Sequence, residues 1–131
     1  MSELKYLFSH LQIGTTVVPN RIHFAAHMTN YAVANLISDR HIYYYRERAK
    51  GGVGLITTEE MGIHPTDHPY EKLVDVYEPE VIPGFKRLTT AIHDYDTKIF
   101  AQLNHNGMQG DGKISRLPVW GPSTGKDPIF R

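Results

Sequence analysis

No cysteine occurs in the 131 residues, so this chain forms no disulfide and offers no thiolate to a zinc site or an iron–sulfur cluster. Nor is there an excess of either charge. Fourteen basic side chains meet 14 acidic ones, leaving no net field to draw nucleic acid or an anionic membrane surface. No apolar run approaches the roughly 20 residues of a membrane span, and the opening MSELKYLFSH has no secretion-type apolar core. These absences lead to the expectation of a cytoplasmic protein with neither nucleic acid nor membrane as a partner. A Gly-x-Gly-x-x-Gly turn is also absent after the first strand candidate, which argues against a dinucleotide-binding doubly wound sheet.

What is present is ordinary for one globular domain, 40% hydrophobic and 21% charged. Residues 6–20 alternate loosely around Gly14 and predict a β-hairpin. Ile22–Ala26 and Val53–Thr58 are short apolar runs of the kind buried strands show, the second ending at Glu59-Glu60. Gly54 within it suggests a close backbone approach. Between the runs, Ser38-Asp39 offers an N-cap, and Ile42, Tyr45, Arg46 and Ala49 recur at helical spacing. Lys50 falls in the last turn and Gly51 can take the left-handed cap. Tyr43-Tyr44-Tyr45 reads as a packing face, Asp39 and Glu47 as capping and solvated charges.

Residues 63–79 carry three prolines and predict an ordered surface loop. Pro83 can open a second helix with Phe85, Leu88, Thr89, Ile92 and Tyr95 as its buried stripe. A third strand follows in KIFAQLNHNG, Lys98 to Gly107, whose apolar start runs into Gln102, Asn104, His105 and Asn106. By spacing alone this is equally a core strand with a polar turn or a strand presenting chemistry at its carboxyl end. The rest, from Gly110 to Arg131, has no periodicity. Strands alternating with helices predict parallel βαβ units with right-handed crossovers, best arranged as a barrel. The chain therefore divides into a hairpin (6–20), a βαβαβ unit (21–104) and an irregular loop (105–131).

Two further motifs are weaker. His64, Asp67 and His68 could seed a metal site, but proline breaks the loop and no third ligand has fixed spacing, so no metal is expected. GPSTGK (121–126) is one residue short of a phosphate loop and follows no strand.

The blocks LFSHLQIG (7–14), PNRIHFAAHMTNYA (19–32), SDRHIYYYRERAKGGVGLITTEE (38–60), IPGFKRLTTAIHDYDTKIFAQLNHNG (82–107) and WGPS (120–123) carry a specific resemblance. In order and spacing they resemble the N-terminal part of the old yellow enzyme family, in the subgroup similar to 2,4-dienoyl-CoA reductase and other NADH:flavin oxidoreductases. The resemblance implies an α/β fold of the (β/α)8 TIM-barrel type, with the hairpin and about three of eight strands in this chain. It implies FMN across the carboxyl ends of the strands, with NAD(P)H as electron donor except in an amine dehydrogenase. Ala26, His27, Met28 and Thr29 would lie against the isoalloxazine. Gln102 would hydrogen-bond its pyrimidine edge, as a group with both donor and acceptor can. Glu60 stands where the family usually has a small residue facing the flavin. There it would disfavour an anionic reduced flavin, or line a pocket for a cationic substrate. Tyr31 and His105 are candidates for the substrate pocket, His105 alternatively satisfying a loop carbonyl. Asn106-Gly107-Met108 replaces a common alanine-glycine-arginine.

The catalytic residues would lie beyond Arg131, as would any iron–sulfur cluster. The implied activity is FMN-dependent oxidoreduction of a small molecule, reducing activated alkenes such as enoyl or dienoyl compounds or oxidising N-methyl amines. It would be incomplete without the remaining barrel strands, in the same chain or a second one, because a barrel of this type takes about 250 residues. Homo-oligomerisation is expected. The alternative is a non-catalytic α/β module that self-associates through its open sheet edge.

Overall fold

The computed structural model describes residues 4–110 and 112–125. Strands β1 (Leu11–Ile13) and β2 (Thr16–Val18) form an antiparallel hairpin, turned by Gly14 at φ +57°. The chain then enters a parallel sheet through β3 (His23–Phe24), crosses over by helix α1 (Asp39–Lys50) and returns as β4 (Leu55–Gly62). A two-residue strand, β5 (Val74–Asp75), precedes α2 (Val81–His93) and β6 (Lys98–Asn104). Strand β4 is central. It pairs with β6 along one side, and along the other with β3 near its start and β5 near its end.

Local chemistry explains the helices. The Ser38 hydroxyl accepts the His41 backbone N–H, and His41 reaches back to the Ser38 backbone, a reciprocal cap. Gly51 is in ordinary right-handed conformation, and the left-handed residue expected there is Gly52, at φ +89°. The last turn thus runs one residue further. Helix α2 begins at Val81, ahead of Pro83. Proline is tolerated there because N–H groups in the first turn have no intrahelical acceptor.

One row crosses the sheet in register, Phe24, Ile56 and Ile99. It packs under both helices with Ile42, Tyr45, Ala49, Leu88 and Ile92. Of the tyrosine triplet, Tyr45 is buried, Tyr44 half-buried and Tyr43 exposed. Gly54 is required where β4 starts, since a Cβ would stand 2.5 Å from the Asn20 carbonyl oxygen.

Further expectations need correction. Tyr95 is not part of the buried stripe of α2: the helix ends at His93 and Tyr95 is exposed. The first strand is shorter than 22–26, because β3 pairs with β4 only at Leu55 and Ile56. The second strand does not stop at Glu59-Glu60 but runs to Gly62, since a bulge and buried hydrogen bonds accommodate the first carboxylate. Segment 63–79 is not confined to the surface: Leu73 and Val74 are fully buried, and β5 adds to the sheet. Among the described residues after β6, a short 3-10 turn (Gly107–Gln109) is the one regular element. The final residue of GPSTGK, Lys126, lies outside the described residues.

Candidate functional site

Helices α1 and α2 cover one face of the sheet; no described element covers the other. On this open face the His23 ring meets the Thr57 hydroxyl at 2.8 Å, and Phe100, in register with Thr57, is 38% exposed. Alternation would next bring Glu59 to the open face. Instead the β4–β6 register slips between Thr57 and Glu60. This bulge turns both Thr58 and Glu59 inward and returns Glu60 to the open face beside Gln102, its register partner. Side chains satisfy the displaced backbone: Tyr45 Oη accepts the Glu59 N–H at 2.8 Å, and Thr58 Oγ1 accepts the Gln102 N–H at 3.3 Å.

Glu59 becomes the hub of the carboxyl end. One oxygen takes a hydrogen bond from His41 Nε2, the other from the Thr29 backbone N–H. Both side chains of the His41–Glu59 pair are fully buried. His41 Nδ1 accepts the Ser38 N–H, so the ring proton sits on Nε2 and points at the carboxylate. Burial pushes the Glu59 pKa up, but the bonds from His41 and Thr29 outweigh it and hold the group below the usual carboxylate range. The sequence reading missed this residue. Its signal was available in His41 and Tyr45, four apart on one helix face beside the strand end.

The turn after β3 is thereby fixed at Thr29. His27 Nε2 lies 2.6 Å from the Tyr44 hydroxyl, and its ring is edge-on to Phe24. Tyr31 carries the Arg40 guanidinium 3.9 Å over its ring, while Arg48 stacks 3.5 Å over Tyr44. Ala26 and Met28 are partly buried in the same turn. Around Glu60 the surroundings are acidic. Burial raises its pKa, a hydrogen bond from Tyr70 opposes this, and the charges of Asp67 and Glu59 add to it. The Tyr70 hydroxyl is raised in turn, first by the Glu60 charge.

Beyond β6, His105 bonds the Thr66 hydroxyl at 3.3 Å and accepts the Gly107 N–H at 3.0 Å, so a loop carbonyl is not its partner. Thr66 also meets His64 Nδ1 at 2.9 Å, and the His64 ring stacks on Trp120 with centroids 4.4 Å apart. Asp67 receives the backbone and side-chain N–H groups of Asn106. His68 faces Asp75 at 3.2 Å. The histidines considered as metal ligands are thus engaged separately, and no group of three potential ligands converges among the described residues. The sheet brings Glu60 and Gln102 side by side, with the 26–29 turn tied to the same strand end. Tyr31 sits toward α1, and His105 toward the loop after β4.

Residues 6–127 match the model of the NADH:flavin oxidoreductase / NADH oxidase family. The chain belongs to that family. It is 39% identical over 114 residues to an NADH oxidase of Thermoanaerobacter brockii, covering 83% of this chain and 17% of the relative. An N,N-dimethylglycine/sarcosine dehydrogenase of Chromohalobacter salexigens is 30% identical over 129 residues, covering 95% of this chain and 19% of the relative. The old yellow enzyme homologue of Zymomonas mobilis superimposes with TM-score 0.83 at 27% identity, over 93% of this chain and 34% of its own. This chain therefore spans about a fifth of the curated relatives and a third of that barrel structure. Its architecture is part of a (β/α)8 barrel, and the family implies flavin and NAD(P)H chemistry.

The strand ends fit a flavin. Asn104 Nδ2 is buried there without a hydrogen-bond partner among the described residues. No side-chain hydrogen bond from the Gln102 amide occurs among the described residues. Among the described residues no helix is long and apolar enough to cross a membrane.

Proposed function

We propose that this chain forms one wall of the active site of an FMN-dependent oxidoreductase acting on a small molecule with NAD(P)H as electron donor. The observation that carries the reading is the row Glu60–Gln102 on the uncovered face, at the strand end where barrel enzymes assemble their sites. FMN, when bound, exchanges a hydride equivalent with the nicotinamide and the substrate. Gln102 would hold the polar edge of the ring system with its amide. Ala26, His27, Met28 and Thr29 would back the ring, in a turn whose position Glu59 fixes through the Thr29 N–H. Tyr31 and His105 would border the substrate.

Two hydride directions suit such a site, delivery to an activated alkene or removal from a C–H bond next to an amine nitrogen. The second is supported by the likeness to the dimethylglycine/sarcosine dehydrogenase. The β6 edge, with Phe100 38% and Leu103 64% exposed, would pair with further barrel strands, from the same polypeptide or another chain. Anaerobic NADH or NADPH should bleach the flavin absorbance of the FMN-loaded full-length protein. Failure to retain FMN, or a flavin that neither nucleotide bleaches, would overturn the reading in favour of a non-catalytic module associating through that edge.

A further inference from the structure

Glu60 is the charged side chain of the open strand-end row, and no cation among the described residues pairs with it. The ion pairs among the described residues are His41–Glu59, Arg46–Glu47, His68–Asp75, Arg87–Asp39 and Lys98–Asp96, and none engages Glu60. The arginines nearest the strand ends are committed to aromatic rings, Arg40 to Tyr31 and Arg48 to Tyr44. The groups that act on Glu60 are a single hydroxyl donor, Tyr70, and two further carboxylates, Asp67 and Glu59. Of these, Glu59 is hydrogen-bonded by His41 and the Thr29 N–H, and Asp67 by Asn106. A carboxylate has about four acceptor positions, and one tyrosine fills only one.

We propose that Glu60 determines substrate specificity, selecting ligands that carry a positive charge, of the amine class, by setting its carboxylate against the ammonium group. This rests on the reading of the strand ends as the active site. A half-buried carboxylate loses hydration as a ligand closes over it, and only a cationic ligand returns that energy. An uncharged enone or thioester would strand the carboxylate instead. Selection against such ligands needs no further contact, because the penalty falls on the neutral competitor. Gln102, the register partner, stays free to bind the flavin, so one row serves both molecules.

The test compares piperidine, cationic at pH 8, with tetrahydropyran, its uncharged ring analogue, titrated into the full-length protein by calorimetry. The wild type should prefer the cation. Glu60→Gln should weaken piperidine binding by about 30-fold, the scale of removing one partner of a buried charge pair, and leave tetrahydropyran binding unchanged. Tyr70→Phe, at an exposed position, removes the competing donor and should tighten piperidine several-fold. Equal binding of the two rings by the wild type, or piperidine affinity unchanged by either substitution, would overturn the proposal. Calorimetry needs no flavin. Failure to load FMN would therefore sink the functional reading, while the Glu60 assignment still stands or falls on the piperidine titration.

Discussion

Glu59 and Glu60 are neighbours in the chain and lie on opposite sides of one sheet. The first is sealed under α1, bonded by His41 and Thr29. The second stands on the uncovered face with a tyrosine hydroxyl and, among the described residues, no cation. A single bulge separates their fates. The covered face uses its charge to hold the fold and the 26–29 turn in place; the open face holds charge that the fold does not use. Where a protein keeps polar groups it does not need for stability, binding is the reason to look for.

The contrast can be broken most forcefully at Ile56, fully buried in the covered row. Ile56→Ala should cost about 2–5 kcal/mol, read from urea unfolding of the full-length protein, whereas Phe100→Ala on the open face should cost clearly less in the same assay. Equal losses would show that the open face is packed. Next comes His41. His41→Ala leaves the buried Glu59 with the Thr29 N–H but without its imidazole donor, and about 2–3 kcal/mol of stability should be lost in that assay. A loss below about 1 kcal/mol would mean that the pair is not buried as described.

Acid separates the carboxylates by sign. The folded-state pKa of Glu59 is depressed, so its contribution is present above the unfolded value and disappears as pH falls through the folded one. That of Glu60 is raised, so the fold is favoured while Glu60 is protonated, and stability declines as pH rises through its folded pKa. Urea midpoints between pH 2 and 7 should therefore show Glu60→Gln removing a decline on the rising side and leaving the acid loss intact. At fixed neutral pH the same substitution should shift stability least of all, by about 0.5 kcal/mol or less, and in the stabilising direction.

Much of this arrangement was legible beforehand. The apolar runs before residues 27, 59 and 102 announced parallel strands, because such strands are buried on both faces and need no alternation. The Ser38 cap and the Ile42–Tyr45–Ala49 stripe announced α1. Gln102 and Glu60 were found as strand-end residues. Their adjacency was not, since register is a property of two strands and a bulge leaves no mark in one. For the same reason alternation misses Glu59: it treats adjacent glutamates at a strand end as solvated. Strand β5 escaped because two residues among prolines carry no period, and Leu73 and Val74 are buried by tertiary packing rather than by any local pattern.

The central claim is that the open strand-end row is the flavin face, and FMN titration of Gln102→Ala tests it most directly. Followed by quenching of flavin fluorescence, the substitution should weaken FMN binding by about tenfold, the scale of one to two hydrogen bonds, with the urea midpoint unchanged. FMN affinity equal to that of the wild type would contradict the account, because a flavin lying across these strand ends cannot be indifferent to the amide beside Glu60.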